Sequence, residues 1–250
     1  MSAAAPQVSV LLVAHGARDW TVRALAAVAE HTPRPHEVIL VDNASPDGTA
    51  ALVRAEHPEV VLVENDANVG FGPANNQAAA LARAPVLVLL NTDALVGPGW
   101  LEPLLDALAR ADVGAAVPSL VHLDGSLQEA GALLGADGTV VSHGDGRDPD
   151  DPAYAFPRLV DFGAAACMAV RAGLFAQLGG FDDDYAPAYY EDADLCLRLA
   201  QAGWATAYVP ASRVVHARYG SSTGERAREL SERNRARFAA SWADRLAVHP

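Results

Sequence analysis

Acidic and imidazole side chains follow several apolar runs of the chain, at positions where buried strands would end. Asp93 closes the stretch APVLVLLNTD (Ala84–Asp93), Asp42 follows the run HEVILV, and His216 follows a later strand. Ligands of open α/β sheets bind just beyond the carboxyl ends of the strands. A carboxylate there also serves as a helix cap, and a lone histidine is more often structural than a metal ligand. The three residues are therefore candidate ligand-binding groups with an ordinary structural alternative.

A glycine-bearing loop, NVGFGPANN (Asn68–Asn76), leads into an alanine-rich helix. Its backbone N–H groups and amides carry no bulky side chains, which suits binding of a nucleotide or a phosphate. The loop contains neither a GxGxxG fingerprint nor a Walker sequence, so it identifies no ligand class by itself.

Carboxylates also cluster at the start of a predicted helix, in YYEDAD (Tyr189–Asp194). Acidic residues complement the dipole in a first helical turn, and Asp194 with Arg198 predicts an ordinary surface ion pair. Asp192 instead shares a helix face with Cys196, toward the core. A carboxylate on the core side of a helix is uncommon, and a role in general-base catalysis is one explanation for it.

These side chains need a scaffold, and the first half of the sequence predicts one of alternating strands and helices. The predicted strands are 8–13, 36–41, 60–63 and 86–90, and the helices between them are 18–30, 49–57 with Asp47 as N-cap, and 74–83. This alternation predicts right-handed βαβ units in a parallel sheet. The continuous apolar run 86–90 indicates a strand buried on both faces.

The second half is less regular. After Asp93 it predicts a helix over 98–111, an edge strand over 114–120, hairpin turns at Asp124-Gly125 and Asp137-Gly138, a polar loop over 143–157, a strand over 162–170, a short helix ending at Gly179-Gly180, a helix over 191–202, a strand over 204–209, a loop over 216–223 and one closing helix over 225–246.

Composition indicates a globular protein and excludes some partners. The 250 residues are 51% apolar and 20% charged, with a net charge of −13, which is ample for a large core. Nucleic-acid binding and adhesion to anionic membranes need clustered basic residues, so neither is expected. Two cysteines without CxxC spacing and a first segment without a basic region are typical of a reducing, cytoplasmic location. No apolar run approaches the about 20 residues of a transmembrane helix.

Taken in order, the motifs resemble the inverting family-2 glycosyltransferases of the GT-A fold. The stretches that carry the resemblance are VSVLLVAH, VILVDNASPDGT, NVGFGPANNQAA, LLNTD, GGFDDDYAPAYYEDADLCLRLAQAGW, the later His216, and Glu232-Arg233-Asn234 with Phe238 in the closing helix. Each motif is weak alone, but the ordered set covers nearly the whole chain. NVGFGPANN and LLNTD are most similar to the bacterial rhamnosyltransferase branch.

The resemblance implies one α/β domain of GT-A type over residues 1–250. Its expected architecture is a Rossmann-like, mostly parallel sheet flanked by helices, with a mixed acceptor-side half and a C-terminal helix. Residues 1–97 would bind the nucleotide sugar, 98–223 would hold the acceptor and the catalytic base, and 224–250 would close the domain.

The resemblance also implies a reaction. A sugar, with rhamnose among the candidates, would pass from a UDP- or dTDP-linked donor to a hydroxyl of a glycan, a lipid-linked sugar or a small-molecule natural product. Asp42 would read the pyrimidine, Asp93 and His216 would hold a divalent metal (Mg²⁺ or Mn²⁺), and Asp192 would be the base. Further donor-binding residues would be Ala14, His15, Asn68, Gly70, Asn75, Asn91 and Thr92, with Glu191 and Arg198 as secondary site residues.

One departure from the family pattern bears on the metal. Asn91-Thr92-Asp93 occupies the family's DxD position, so Asn91 supplies a neutral oxygen where an aspartate is usual. Mg²⁺ relies on substrate phosphates and keeps several waters, so a sparse protein site is physically reasonable. Metal binding is therefore expected to be weak unless the donor diphosphate is present.

Other classes remain as alternatives. A catalytically inactive nucleotide-sugar-binding module is the first, although Asp93, Asp192 and His216 favour an active enzyme. A sugar-phosphate nucleotidylyltransferase would need a basic glycine-rich loop after the first strand, where the chain has Ala14-His15-Gly16, and a dinucleotide-dependent dehydrogenase would need its glycine fingerprint there. The expected location is cytoplasmic, with peripheral attachment to the inner membrane face through the acceptor, and the oligomeric state is left open.

Overall fold

The first half of the chain forms the four predicted parallel strands. A computed structural model describes residues 4–218 and 224–247. Its first elements are β1 (Val8–Ala14), α1 (Arg18–His31), β2 (His36–Asp42), α2 (Thr49–Glu56), β3 (Val61–Glu64), α3 (Phe71–Leu81) and β4 (Val86–Asn91). Strand β1 pairs in parallel with β2 and β4, and β2 pairs in parallel with β3. The predicted βαβ units are confirmed.

The second half extends the same sheet with strands of both directions. Its elements are β5 (Ala94–Val96), α4 (Glu102–Ala109), β6 (Val113–Val121), β7 (Leu127–Glu129), β8 (Ala132–Leu134), β9 (Val140–Ser142), β10 (Arg158–Val160), β11 (Cys167–Arg171), α5 (Ala172–Gln177), a 3-10 turn (Asp183–Tyr185), α6 (Glu191–Gln201), β12 (Ala205–His216), α7 (Glu225–Ser241) and α8 (Ala243–Leu246). The strand order is β10-β12-β6-β11-β4-β1-β2-β3, with β5 added to β12 and β7 added to β6. Strand β11 is antiparallel to β4 and β6, so the sheet is mixed on this side, as the resemblance implies.

Apolar side chains of the central strands alternate between two cores, one on each face of the sheet. Leu87 and Leu89 pack into one core and Val88 and Leu90 into the other. Each buried side chain of this size contributes about 1.5–3 kcal/mol relative to exposure. Because helices cover both faces, β4 is apolar at consecutive positions, which explains the run that the sequence shows there.

Strand β6 lies inside the sheet, so the prediction of an edge strand over 114–120 was wrong. It pairs with both β12 and β11, and all nine of its residues are buried. Pro118, which cannot donate to a ladder, is accommodated by a register shift in β12 between Val209 and Arg213, the partners of Pro118 and Ser119. A bulge thus allows an interior proline, which otherwise favours edge strands.

Several element boundaries differ from the predictions. Asp93 is followed by a strand, β5, and not by a helix; helix α4 is correspondingly shorter than predicted. His216 is the last residue of β12 and does not lie in a loop, while residues 219–223 of the predicted loop lie outside the described residues. The closing segment is two helices, α7 and α8, separated at Trp242.

Asp47 is not the N-cap of α2, because Gly48 occupies that position. The Asp47 carboxylate nevertheless accepts hydrogen bonds from the backbone N–H and the hydroxyl of Thr49. Asp47 therefore binds a free N–H group of the first helical turn from the position before the N-cap.

The register of the parallel strands aligns their carboxyl ends. Ala14 is opposite Asp42, Val13 is opposite Asn91, and Asp42 is opposite Glu64. The predicted ligand-binding residues after β1, β2 and β4 therefore share one edge of the sheet. Within the described parts of the chain, no helix has the length and apolar character needed to cross a membrane.

Candidate active site

His216 and Asp93 meet because β5 pairs with β12. The pairing places His216 opposite Ala94, the residue after Asp93. Nε2 of His216 lies 3.3 Å from Oδ1 of Asp93 and 3.3 Å from Nδ2 of Asn91. Asp93 and His216 are 7% and 8% exposed. A buried carboxylate oxygen and a ring nitrogen thus converge at the end of the central strand as two candidate metal-ligand atoms, which form the donor set.

Asp42 presents an unpaired oxygen at the same edge of the sheet. The residue is 3% exposed, and its Oδ1 accepts a hydrogen bond from the backbone N–H of Ser45. Oδ2 is buried and has no hydrogen-bond partner among the residues that the structure describes. A buried carboxylate oxygen without a donor is costly, so this atom is suited to an N–H group supplied by a ligand.

Helix α3 begins at Phe71, so the predicted start of this helix after Pro73 was wrong, and only residues 68–70 of the glycine-bearing loop lie outside the helix. These residues are held against the segment that precedes α6. Oδ1 of Asn68 accepts a hydrogen bond from the N–H of Gly70, and the N–H of Phe71 donates to the carbonyl of Pro187. Gly70 has a φ of +102°, and a Cβ there would lie 2.9 Å from Cα of Pro187. Only glycine fits both the backbone conformation and the close approach.

Two other predicted donor residues lie beside this loop. The ring nitrogen Nδ1 of His15 is 2.8 Å from the carbonyl of Asn43, directly after β2. Ala14 is the buried last residue of β1. Asn43, which the sequence did not single out, is buried and donates from its amide to the carbonyl of Gly70. The first two strand ends and the loop are therefore one connected unit.

A cleft beyond the end of β4 contains the predicted base. It is lined by Asn91, Glu129, Glu191, Asp192 and His216, together with apolar and small residues of the neighbouring loops. Oδ2 of Asp192 accepts a hydrogen bond from the N–H of Ala165 at 3.2 Å. Thr92 and Asp93 directly follow Asn91 in the chain, and His216, which lines the cleft, lies 3.3 Å from Asp93. The donor set and the predicted base therefore adjoin one cleft.

Burial alters the acidity of the three carboxyl groups in the cleft. Burial raises the pKa of Glu129 to about 7 and also raises the pKa of Asp192. The pKa of Glu191 lies well above its usual range because the group is buried and, secondarily, because Asp192 is adjacent. Carboxyl groups with raised pKa values in a cleft are typical of acid–base sites.

Two of the predicted site residues have evident structural roles. Asn75 is buried, and its amide donates to the carbonyl of Phe71 one turn back in α3. Arg198 donates to Asp194 and to the carbonyls of Leu178 and Gly180, which joins α6 to the turn after α5. The Asp194–Arg198 pair forms as predicted, but its side chains are only 7% and 20% exposed. Describing it as a surface pair was therefore wrong.

Sequence reasoning missed Gln128 and Glu129, the last two residues of β7. Gln128 is 1% exposed and Glu129 is 5% exposed. Their one visible signal was a pair of adjacent polar residues between Leu127 and Ala130, directly after a predicted turn. A three-residue strand is too short to show the period-2 alternation that would have marked them as buried.

Comparison with known proteins identifies the family. The sequence model of Glycosyl transferase family 2 matches residues 9–151, more than half of the chain. The chain belongs to glycosyltransferase family 2. It is an inverting glycosyltransferase, and the resemblance drawn from the ordered motifs is confirmed.

Relatives of this family-2 glycosyltransferase include rhamnosyltransferases. An N-acetylglucosaminyl-diphospho-decaprenol L-rhamnosyltransferase of Mycobacterium tuberculosis is 32% identical over 252 residues, which cover 92% of this chain and 82% of that protein. Rhamnosyltransferase WbbL of Escherichia coli K12 is 43% identical over 68 residues, 27% of this chain and 25% of that one.

Solved structures confirm the GT-A fold of the family-2 enzyme. GalNAc-T7 with UDP, GalNAc and Mn²⁺ has a TM-score of 0.75 and 19% identity over 97% of this chain and 49% of that one. The mannosyltransferase PcManGT of Pyrobaculum calidifontis, with GDP-Man and Mn²⁺, has a TM-score of 0.64 and 22% identity over 87% and 59% of the two chains. This enzyme therefore spans about half the length of these structural neighbours.

Proposed function

We propose that the enzyme transfers a sugar, with rhamnose as the first candidate, from a UDP- or dTDP-linked donor to an acceptor hydroxyl. One observation carries the proposal: a single cleft holds the carboxylate of Asp192 together with Asn91 and His216, the latter 3.3 Å from Asp93. A base and a diphosphate-binding donor set at one strand end are what such a transfer needs. The named rhamnosyltransferase relative supports the sugar.

Asp42 recognises the base of the donor nucleotide. Its buried Oδ2 lacks a donor among the described residues, and the imide N–H of uracil or thymine supplies one. Guanine presents its N–H groups at different positions on a larger ring system, and adenine has no imide N–H to donate to this oxygen. Ala14, His15, Asn68 and Gly70 surround the same strand ends and form the rest of the nucleotide site, within the half formed by residues 1–97.

Asp93 and His216 hold a divalent metal ion, Mg²⁺ or Mn²⁺. The donor set fits such an ion because a carboxylate oxygen and a ring nitrogen converge at 3.3 Å in a buried site. Among the described residues, no group of three His, Cys, Asp or Glu side chains is placed to hold a metal, so the diphosphate would supply further ligands. When bound, the ion would neutralise negative charge on the leaving diphosphate. Two structural neighbours were crystallised with Mn²⁺.

Asp192 is the general base. The acceptor hydroxyl oxygen forms a bond to the anomeric carbon while its proton passes to the Asp192 carboxylate. The bond between that carbon and the diphosphate oxygen breaks, and the electron pair leaves with the nucleoside diphosphate. Burial raises the pKa of Asp192, which makes it a stronger base, and the N–H of Ala165 fixes its orientation. One displacement inverts the anomeric configuration.

The acceptor enters through the half formed by residues 98–223, with residues 224–250 closing the domain. The cleft is lined on this side by Phe162, Tyr189 and Tyr190, whose faces suit a sugar ring. The relative from M. tuberculosis is named for a lipid-linked acceptor. A lipid-linked sugar would place the enzyme at the inner face of the membrane while it works.

Replacement of Asp192 by Asn tests the proposal. Asp192→Asn keeps the side-chain shape but removes the basic lone pair, so turnover should fall by roughly 10² to 10⁴. Donor affinity should stay within about twofold, because Asp42 and the diphosphate site supply donor binding. The measurement is release of nucleoside diphosphate from UDP- and dTDP-sugars, with N-acetylglucosaminyl-diphospho-prenol as acceptor, alongside calorimetric donor binding.

Glu191→Gln is the matched control. The raised pKa of Glu191 favours its neutral form, and glutamine reproduces that charge at nearly the same volume, so turnover should fall much less. Near-normal turnover in Asp192→Asn would contradict the assignment of the base.

Stronger stabilisation by purine than by pyrimidine nucleotides would contradict the assignment of Asp42.

A further inference from the structure

Gln128 contacts His216 through two different atoms. Its Nε2 donates to the backbone carbonyl of His216 at 3.0 Å, and its Oε1 lies 2.7 Å from Nδ1 of the same residue. The side chain belongs to β7, which is attached to β6 beside the main path of the sheet. A buried amide that contacts both the backbone and the ring of one histidine can fix the tautomer and the orientation of that ring.

The proton positions follow from a single fact about the carbonyl group. A carbonyl oxygen only accepts hydrogen bonds, so the NH₂ end of Gln128 must face the His216 carbonyl. The amide oxygen, Oε1, therefore faces Nδ1, and it also only accepts. Nδ1 of His216 must carry the proton. In the neutral ring this leaves Nε2 with its lone pair, directed toward Asp93 and Asn91.

We propose that Gln128 is a positioning residue that holds His216 in the Nδ1–H tautomer, with the Nε2 lone pair prepared for a metal ion. This inference rests on the proposed metal site. Histidines that bind metals usually donate their second N–H to a fixed acceptor, which sets both tautomer and ring orientation. Without Gln128, Nδ1–H loses its acceptor. Protonating Nε2 then lets the ring donate to Oδ1 of Asp93 and removes the repulsion between those two lone pairs, at the cost of the hydrogen bond that Nε2 accepts from the Asn91 amide.

Gln128 is also hydrogen-bonded to a second histidine, His122. The second N–H of Gln128 points to Nδ1 of His122 at 3.1 Å, and Nε2 of His122 lies 2.8 Å from Oδ1 of Asp145. Since the amide N–H donates, His122 accepts at Nδ1 and carries its proton on Nε2, toward the carboxylate. The whole chain of bonds therefore has one consistent direction, and Asp145, in the polar loop over 143–157, anchors its outer end.

The first test reads the tautomer directly in metal-free protein. Nitrogen-15 NMR of histidine rings, recorded at about pH 8, the upper end of the range in which histidine side chains change charge, should show Nδ1–H for His216. The resonance is assigned by its loss in His216→Gln. Gln128→Met, of similar size but without hydrogen bonds, should shift the ring toward Nε2–H, whereas Gln128→Glu, which keeps an acceptor for Nδ1–H, should retain the wild-type tautomer.

The second test measures Mn²⁺ affinity in the presence of UDP by calorimetry. Gln128→Met should weaken Mn²⁺ binding by roughly 10- to 100-fold, and Gln201→Met, the same change at an exposed position of α6, should leave it unaltered. An Nε2–H tautomer in the wild-type protein would overturn the proposal even if Gln128→Met fails to fold. So would an unchanged tautomer and affinity in a folded Gln128→Met protein. Wild-type protein with Nδ1–H that binds no Mn²⁺ would contradict the proposed metal site, while a tautomer change in Gln128→Met would still support the role of Gln128.

Discussion

Two carboxyl groups of the cleft are held by successive backbone amides. The N–H of Ala164 donates to Glu129 and the N–H of Ala165 donates to Asp192. The two side chains are therefore brought together by one short segment before β11. Burying neighbouring carboxyl groups costs free energy of folding. Such pairs are therefore typical of functional sites. Asp192 is the proposed base, whereas Glu129 can be examined through its effect on stability.

Glu129 makes the stability of the enzyme depend on pH with a definite sign. Burial raises its folded pKa from 4.5 to about 7, so between these values the native state binds more protons than the unfolded state. Its contribution to stability therefore falls as pH rises through this range, by about 1.4 kcal/mol per pH unit and about 3 kcal/mol in all. Glu129→Gln removes this dependence. The stability of the variant relative to wild type should increase by that amount between pH 4.5 and 7, as measured by urea unfolding.

The difference between variant and wild type isolates Glu129 from the other buried carboxyl groups, which are present in both proteins. Glu56→Gln, the same change at an exposed position at the end of α2, is the control for the substitution itself. A difference for Glu129→Gln that stays constant with pH would show that Glu129 does not change its protonation on unfolding in this range.

Individual residues were predictable where their position in an element marked them. Asp42 and Asp93 stand at strand ends and Asp192 stands in a first helical turn, so pattern alone made them candidates. Gln128 and Glu129 acquire their neighbours from pairings distant in sequence, with His216 and Ala164. No local pattern contains that information.

At the scale of elements, the loop from Asn68 to Gly70 packs the start of α3 against the segment before α6. Gly70 has a backbone conformation reserved for glycine, and a Cβ at this position would lie 2.9 and 3.0 Å from the Cα and the carbonyl oxygen of Pro187. Asn76 adds to the connection, since its amide donates to the carbonyl of Phe181 and accepts from its N–H. The loop and α3 are therefore held against residues 181–187 by packing and by hydrogen bonds.

Gly70→Ala should destabilise the enzyme and weaken donor binding together. The backbone conformation costs about 1–3 kcal/mol for a non-glycine residue, and the contact with Pro187 adds to this, for a total of roughly 2–4 kcal/mol in urea unfolding. Gly48→Ala is the matched control, because Gly48 has a φ of +82° but nothing within 4 Å of its Cβ position. It should lose only about 1 kcal/mol. Equal losses in the two variants would show that the approach to Pro187 contributes nothing.

Element types were largely predictable, and element neighbours were not. The strands of the first half follow from apolar runs and turn residues between them. Placing β6 at an edge failed because strand order depends on long-range pairing, and the bulge opposite Pro118 arises from β12. His216 was assigned to a loop because a proline usually interrupts a strand, and Pro210 precedes it. In the structure β12 continues through Pro210 and ends at His216.

At the scale of the whole molecule, the two halves share one sheet and meet at β4. This strand is parallel to β1 on one side and antiparallel to β11 on the other. Asp42 and Asp93, the proposed donor-site carboxylates, follow parallel strands, and Asp192, the proposed base, is hydrogen-bonded to the segment before the antiparallel strand β11. The ordered motifs could predict this fold and could nominate Asp42, Asp93 and Asp192, whereas the place of Glu129 and the junction itself are consequences of tertiary pairing.

The net charge of −13 leads us to expect that donor binding depends on a cation. A nucleoside diphosphate approaching Asp42 and Asp93 meets repulsion unless a divalent ion lies between the phosphates and the carboxylate. UDP with Mg²⁺ or Mn²⁺ at about 100 times its dissociation constant should stabilise the enzyme by about 2.7 kcal/mol. For a chain of this size, that corresponds to a rise in melting temperature of roughly 5–10 °C. UDP in EDTA should give a much smaller rise, and Asp93→Asn should lose the metal-dependent part while keeping its own melting temperature close to that of wild type. A UDP shift of the same size in EDTA, measured by differential scanning calorimetry, would show that the enzyme binds its donor without a metal ion.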